Sequence, residues 1–508
     1  MNGTDRKSTI SLGGEDLGWG TFGRWPISCL VMLTSFGGSF LHSLSAVHGG
    51  PVANDRDRPN VVMFFIDDLG SRDVGCYGSD FYETPHIDRL AQSGALFRQF
   101  YSAHPVCSPT RAALMTGKVP QRMGITQWIP QPSDIHLPLG ETTIAEAFQS
   151  AGYRTGYIGK WHLGEGDDQQ PSAHGFDWQK GVNRAGQPGS YFYPYRRKAR
   201  SQKKNYWNVP DFEGGQPGDY LTDQLTDAAL EFIDSAGDHP FFLCLAHYAV
   251  HTPIQSPKPL VERYQQKKEE RYGQQVMEAL PEKNGSASRP RQDNPAYAAM
   301  ISNLDDNVGR VLNHLKQRGL SDETIVVFTS DNGGLSTLRN GRVGPTSCRP
   351  MRAGKGWNYE GGIRIPTLIS WPGRVPAGLQ VEEPGITMDL YPTLLDLAGL
   401  SLKPEQHQDG LSLKERITGS ADGVMPERFL AWHYPHDHGS GHTPSSALRL
   451  GGYKLLFRPE GPSYELYHLI QDPEEAIDLS QSEPKRVAEM ARLLDAWLKE
   501  TSRKSEVE

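Results

Sequence analysis

The apolar positions of this chain fall into short runs separated by long polar stretches. Residues 60–66, N-V-V-M-F-F-I, are almost wholly apolar and do not alternate, which predicts a strand buried on both faces of a parallel sheet. Segments rich in β-formers at 154–159, 241–248 and 324–330 predict three more strands. Between them the period changes. Ile301, Leu304, Val308, Val311, Leu312 and Leu315 recur at helical spacing and predict an amphipathic helix, and a helix around 141–151 stops at Gly152. This alternation predicts an α/β fold with a mostly parallel sheet flanked by helices. Stretches 165–220 and 333–350, rich in Gly, Pro, Tyr and basic residues, predict surface loops, and 261–295 a charged helix followed by a polar loop. Past residue 425 the pattern shifts to F-L-A-W-H-Y, S-A-L-R-L-G-G-Y-K-L-L-F and Y-E-L-Y-H-L, read as antiparallel strands, with a helix from about Pro484 to Glu500. The expected division is a large domain at 58–424 and a small C-terminal α+β domain with an antiparallel sheet at 425–503.

The first apolar stretch, from Trp25 to Ala46, is of another kind. Arg24 precedes it and Ser43, Ser45 and Ala46 close it, the layout of a secretory signal with cleavage near Ser45 or Ala46 after a long polar leader. Pro26, two glycines and His42 make it a poor permanent span. Residues 1–46 therefore predict a periplasmic or secreted protein without a stable membrane span. At 508 residues, 37% hydrophobic and 22% charged, the chain can bury a large core. A net charge of −8 without long runs excludes a non-specific nucleic-acid binder, whose footprint would be basic. Five cysteines, widely spaced and with no C-x-x-C pair, make neither a disulfide framework nor a thiolate zinc site.

Open α/β sheets place their chemistry at the carboxyl ends of strands. Asp67 and Asp68 follow the first predicted strand, Lys160 and His162 the second, His251 the third, and Asp331 and Asn332 the fourth. One Asp-Asp pair alone would read as a turn or helix cap. An Asp-Asp and an Asp-Asn at equivalent strand ends read as hard oxygen ligands, suited to Ca²⁺ or Mg²⁺. Cys107 opens C-S-P-T-R-A-A-L-M-T-G, in which Ser108 can cap and Pro109 suits the first helical position, so Cys107 falls at a helix N-terminus with Arg111 on the same face. There it reads either as an activated thiolate or as a small buried residue.

These residues carry a resemblance. C-S-P-T-R from Cys107 to Arg111, followed by Thr116-Gly117, resembles the sulfatase signature built on Cys-x-Pro-x-Arg. Asp67-Asp68, G-K-W-H-L-G from Gly159, H-T-P from His251, D-N-G from Asp331 and P-M-R-A-G-K-G-W-N-Y-E-G-G-I-R-I-P from Pro350 follow in the order the family uses. From about Pro59 to the C-terminus the chain resembles the formylglycine-dependent type I sulfatases, arylsulfatase-like members of the alkaline phosphatase superfamily.

The resemblance implies an alkaline-phosphatase-like fold, with a central mixed sheet between helices plus the small C-terminal sheet, and hydrolysis of O-sulfate esters, of a sulfated sugar or polysaccharide. It implies that a formylglycine-generating maturation enzyme converts Cys107 to formylglycine, whose hydrated aldehyde is the nucleophile. Asp67, Asp68, Asp331 and Asn332 then match the calcium ligands, completed by an oxygen of modified Cys107, with Mg²⁺ the lesser option. Arg111 would orient the hydrate, and Lys160 and Lys355 would bind sulfate oxygens. His162 would assist the hydrate's second hydroxyl, and His251 would protonate the leaving sugar oxygen. His433, His436, His438 and His442 resemble an aromatic, His-rich loop that contacts sugar, although a surface loop or a second metal site also fits them. Arg364 supports Lys355 or makes a structural ion pair. Two other functions fit parts of this pattern: a phosphodiester or phosphonate ester hydrolase on the same scaffold, and a glycan-binding protein with an unmodified Cys107.

Overall fold

A computed structural model describes residues 58–197, 205–419 and 428–502. The predicted signal segment, Cys29 and the 425 boundary lie outside the described residues. The first strand, β1 (Asn60–Ile66), is buried at all seven positions and occupies the middle of an eight-stranded sheet. In chain order the other strands are β2 (Ala95–Phe97), β3 (Arg154–Gly159), β4 (Trp178–Lys180), β5 (Phe241–Ala246), β6 (Thr324–Ser330), β7 (Thr367–Ser370) and β8 (Leu379–Val381). They lie in the order β8-β2-β7-β6-β1-β5-β3-β4. Only β7 runs against its neighbours, so the sheet is mixed but mostly parallel.

Side chains of a strand alternate between faces, and β1 divides its own accordingly. Val62, Phe64 and Ile66 join one core cluster with the helices Leu221–Ser235 and Pro295–Gln317. Val61, Met63 and Phe65 join a second, with the helices Ile144–Ser150 and Leu390–Leu397. Helices on both faces explain why β1 reads as a continuous apolar run. Local chemistry fixes the helix starts. Thr143 and Glu146 form a capping box on Ile144–Ser150, and the Asn294 side chain accepts from the amides of Ala296 and Tyr297 ahead of Pro295–Gln317.

The third strand ends two residues sooner than its apolar run suggests. The amide of Asp67 donates to the Ala249 carbonyl and that of Val250 to the Asp67 carbonyl, so the chain bends across the end of β1 instead of extending β5. The polar stretch after the helix Lys258–Tyr272 contains short strands, Leu280–Pro281 and Ser286–Ser288, paired with Thr337–Arg339. Elements this short leave no period to read.

Four antiparallel strands follow, β9 (Phe429–Tyr434), β10 (Ser445–Leu450), β11 (Tyr453–Arg458) and β12 (Ser463–His468). Gly451, at φ +55°, makes the tight turn between β10 and β11. Leu448, Leu455 and Leu466 of this sheet pack with Met490, Leu494 and Trp497 of the helix Pro484–Thr501, and with Tyr101, Ala113, Trp357 and Ile363 from earlier in the chain. Cys76, Cys107, Cys244 and Cys348 are free thiols. Among the described residues no helix is long and apolar enough to cross a membrane.

Candidate active site

The sheet register assembles the site. Ile66 pairs with Ser330, so Asp67-Asp68 and Asp331-Asn332 leave adjacent strand ends in step. The Asp68 amide donates to Asp331 Oδ1 at 3.1 Å, and Asn332 Nδ2 donates to Asp68 Oδ1 at 2.9 Å. Asn332 Oδ1 is buried with no hydrogen-bond partner. Lys160 and His162 arrive from β3, His251 from the bend after β5, and Lys355 from the loop ahead of Glu360–Ile363.

Cys107 is the first residue of a helix, Cys107–Thr116, buried along its whole length. The cap differs from the expected one. Val106 occupies the N-cap position without a side-chain bond, while Ser108 Oγ instead accepts the Ile129 amide at 3.0 Å. The open amides of the first turn still favour an anion there. Lys355 Nζ lies 3.4 Å from Cys107 Sγ and 2.6 Å from Asp68 Oδ1. Lys160 Nζ lies 2.7 Å from Asp67 Oδ2 and 3.9 Å from Asp331 Oδ2. Arg111, one turn along the helix, holds Asp331 through Nε at 2.9 Å and the Lys160 carbonyl at 2.6 Å. Three carboxylates thus meet three cations around one sulfur, all of them buried.

Burial raises the Asp67 carboxyl, and Lys160 only partly counters it. Burial also acts on Asp68 and Asp331, but Lys355 with His251, and Arg111 with Lys160, outweigh it and hold both below the usual carboxylate range. Burial works against charge on Lys355 as well, yet Asp68, Cys107 and Asp67 raise it above an ordinary lysine. The Cys107 thiol is pushed up to about 11 by burial despite the two lysines. An activated thiolate, one of the two readings of the isolated cysteine, is therefore not what this pocket makes of an unmodified thiol.

The two histidines differ in tautomer. His162 Nε2 donates to the Ile129 carbonyl at 2.9 Å, which leaves Nδ1 as the lone-pair nitrogen, buried and without a partner. Burial and then Lys160 hold its pKa well below the usual value. His251 Nδ1 donates to the Thr252 carbonyl at 2.9 Å, and its Nε2 lies 3.6 Å from Asp68 Oδ2 on the partly exposed side. Burial and Lys355 push His251 down to about 3, with Asp68 pulling the other way. Ligand atoms of Asp67, Asp68, Cys107 and His251 lie within 4.8 Å of one another. That carboxylate set, with the orphaned Asn332 oxygen, fits a hard divalent cation.

The site opens into a cleft of about 390 Å³ lined by Cys107, His162, His251, Lys355, His438 and residues from three loops. Of the His-rich segment only His438 reaches it, with Nδ1 2.8 Å from Ser440 Oγ. His436 Nε2 bonds Thr126 Oγ1 at 2.9 Å, and His433 Nδ1 bonds Ser446 Oγ at 2.8 Å. His442 stacks on Tyr434 at 4.8 Å. Among the described residues these four histidines form no metal-type cluster. Arg364 pairs with Glu360 at 3.5 Å and donates to the Arg98 carbonyl at 3.2 Å, so it braces a strand pairing and does not line the cleft. Trp128, Gln131, Gly186, Gln187 and Trp207 line it and belong to no motif. Their one signal is that two tryptophans stand in Pro- and Gly-rich loops.

A family model described as Sulfatase matches residues 59–400. The chain belongs to the sulfatase family. A second model, N-sulphoglucosamine sulphohydrolase C-terminal, matches residues 353–504 of this sulfatase. It is 34% identical over 424 residues to the N-acetylgalactosamine-6-sulfatase of Canis lupus familiaris, covering 78% of this chain and 72% of the relative. It is 30% identical over 520 residues to a sulfatase of Formosa agariphila, covering 87% and 89%. Among solved structures it is similar to Ps i-CgsB in complex with k-i-k-neocarrahexaose, with a TM-score of 0.74 and 31% identity over 88% of this chain and 94% of that one. The protein is a sulfuric ester hydrolase with an alkaline-phosphatase-like fold. Sulfatases generally use a formylglycine and a divalent metal, and the acidic cluster offers a place for the metal.

Proposed function

We propose that this sulfatase is exported and hydrolyses O-sulfate esters of a sulfated sugar or polysaccharide, with a nucleophile derived from Cys107 and a calcium ion held by Asp67, Asp68, Asp331 and Asn332. The observation that carries the reading is the convergence on Cys107 Sγ, which has Lys355 Nζ at 3.4 Å and Asp67 Oδ1 at 3.8 Å. In the mature enzyme an oxygen of the aldehyde hydrate takes the place of that sulfur. Carbohydrate as the substrate class is supported by the names of the relatives, a galactosamine sulfatase and a neocarrahexaose-bound protein. Export rests on the leader-like pattern of residues 1–46.

When bound, the cation supplies charge that offsets the sulfate and orients the nucleophilic oxygen. Residues of the chain do the rest. Lys160 and Lys355 flank the reacting atom and receive the sulfate oxygens as fixed cations in a buried site, where such charge acts strongly. Arg111 holds Asp331 and the Lys160 carbonyl, keeping two strand ends in place relative to the nucleophile helix. His162 accepts a proton at Nδ1, its other nitrogen being fixed to the Ile129 carbonyl. In its doubly protonated form, with Nδ1–H kept on the Thr252 carbonyl, His251 gives a proton from Nε2 to the oxygen of the departing alcohol. Burial, Lys355 and Lys160 all depress its pKa, and an anion seated against the two lysines offsets their share.

The test is a mass measurement paired with a substrate panel. The Cys107 peptide of active protein is expected to carry an aldehyde, and the protein to release sulfate from sulfated galactose, N-acetylgalactosamine, glucosamine or uronate sugars. Full activity with an intact thiol, or faster cleavage of a phosphodiester or phosphonate ester, would overturn the proposal.

A further inference from the structure

Beyond the sulfate site the cleft has a second wall of a different character. It is built from Trp128, Gln131, Gln187, Arg197 and Trp207. Trp128 is 42% exposed, a large aromatic surface left open at the mouth of an otherwise buried site. It is not a loose side chain on a loose loop. The next residue, Ile129, is fixed through its amide to Ser108 Oγ of the nucleophile helix and through its carbonyl to His162 Nε2. Trp207 is fixed from the other side, its carbonyl accepting the Gly189 amide at 2.6 Å and Asn183 Nδ2 at 3.3 Å. The Asn183 amide is in turn held by the Tyr248 hydroxyl at 3.0 Å. The backbone that carries each indole is therefore fixed relative to the nucleophile helix and His162.

Arg197 lies over the Trp207 ring, its guanidinium carbon 4.8 Å from the ring centroid. Among the described residues no carboxylate pairs with it, whereas the exposed Arg184, Arg339 and Arg349 each have one. A guanidinium held over an indole face can still offer N–H donors to a planar or tetrahedral anion. Indole faces suit the apolar face of a pyranose ring, and glutamines suit its hydroxyls. The volume of about 390 Å³ is in the range of sites that enclose ligands of drug size.

We propose that this wall is a subsite for the sugar next to the one that loses sulfate, and that it selects an acidic neighbour. Trp128 and Trp207 stack on the adjoining ring, and Arg197 binds its carboxylate or its own sulfate. The substrate is thus an oligosaccharide with anionic groups on consecutive sugars, not an isolated sulfated monosaccharide. This rests on the carbohydrate-sulfatase reading above, and the experiment separates the two.

Four substrates sharing one cleavable sulfated sugar are compared by kcat/KM: the monosaccharide, and disaccharides whose neighbour is a neutral hexose, a uronic acid or a sulfated hexose. The parent enzyme is expected to prefer an acidic neighbour over the neutral one by roughly tenfold or more, the scale of one charge-assisted hydrogen bond. Whichever of the two acidic disaccharides is faster identifies the anion. The preference should shrink as ionic strength rises. Arg197→Gln should erase it chiefly through KM, and Trp207→Ala should lower both charged and neutral disaccharides relative to the monosaccharide. Turnover of the monosaccharide in the same preparations reports on folding and maturation. Equal rates on all three disaccharides in the parent, or an Arg197→Gln loss as large on the neutral as on the acidic disaccharides, overturns the subsite alone. Failure to cleave any of the four by matured enzyme overturns the carbohydrate reading itself.

Discussion

Two residues of the candidate site have backbones that an L side chain seldom adopts. Asp68 has φ +60° and His162 φ +59°, each a conformation maintained only when surrounding structure determines it. At Asp68 the surroundings are the Asp331 and Asn332 bonds, and at His162 the bond to Ile129. Gly186 completes the second: a Cβ there would come within 2.3 Å of His162 Cε1. Gly186→Ala is therefore expected to lower kcat about tenfold or more while leaving the melting temperature nearly unchanged, checked by steady-state kinetics beside a thermal melt. His251 is tested by its leaving group. A sugar alkoxide needs a proton and an activated phenolate hardly does, so His251→Ala should cost about 10²–10⁴-fold on a sulfated sugar and far less on an aryl sulfate. His162→Ala should slow both alike, and equal losses for the His251 variant would assign its role to binding. Removing a proposed metal ligand is harsher. Asp331→Ala should lose more than about 100-fold in activity while remaining folded by circular dichroism, because even outer-shell changes at metal sites cost 10–100-fold.

Helices hold these residues in place, and some are tied to one another by buried acids. Asp305, in the helix Pro295–Gln317, accepts the His86 and Ile87 amides at the start of Pro85–Gln92 at 2.8–3.1 Å. It caps a helix to which it does not belong. Burial raises its carboxyl from 3.8 to about 7, the amide bonds opposing. The folded chain thus holds a proton that the unfolded chain releases near pH 4, and the advantage is lost as pH rises from about 4 to 7. Asp305→Asn keeps an acceptor without the ionisation. Its stability in denaturant melts should fall less steeply than the parent's across that interval, and parallel slopes would refute the assignment. None of this was legible in the pattern, because Asp305 lies between Leu304 and Val308 on a helix whose apolar spacing is all the sequence displays.

At the scale of the molecule a buried lysine adds an ionic link to the apolar packing that joins the four-stranded sheet to the site. Lys454 of β11 lies 3.0 Å from Glu360 and 2.6 Å from Glu475, with all three side chains at most 1% exposed. Glu475 also accepts the Glu360 amide at 2.7 Å. Glu360 follows Lys355 by five residues, so this cluster ties the sulfate-side loop to the C-terminal sheet. Lys454→Met would strand two buried acids. The expected cost is about 3–5 kcal/mol in chemical denaturation. Glu475→Gln added to it should recover part of that loss, and strictly additive losses would show that the pair does not interact. Calcium gives a global readout of its own. A cation bound only by the folded site should raise the melting temperature with its concentration, and chelation should reverse this together with activity.

The apolar runs and the order of the chemical motifs determined the fold class, most of the strand placements and the nine candidate residues that gather with Cys107. Strand burial and metal or nucleophile chemistry demand particular residue types at particular places along the chain, so they leave a local record. The tertiary structure alone decided what those residues touch. It separated His438 from His433 and Arg364, gave the two histidines opposite tautomers, moved the helix cap from Ser108 to Val106, and brought Trp128 and Trp207 to one cleft. Such features depend on contacts between segments remote in sequence, Ser108 with Ile129 and Gly189 with Trp207 among them. A hydrogen bond or a stacked ring between remote segments imposes no period and no spacing, so only the folded chain reveals it.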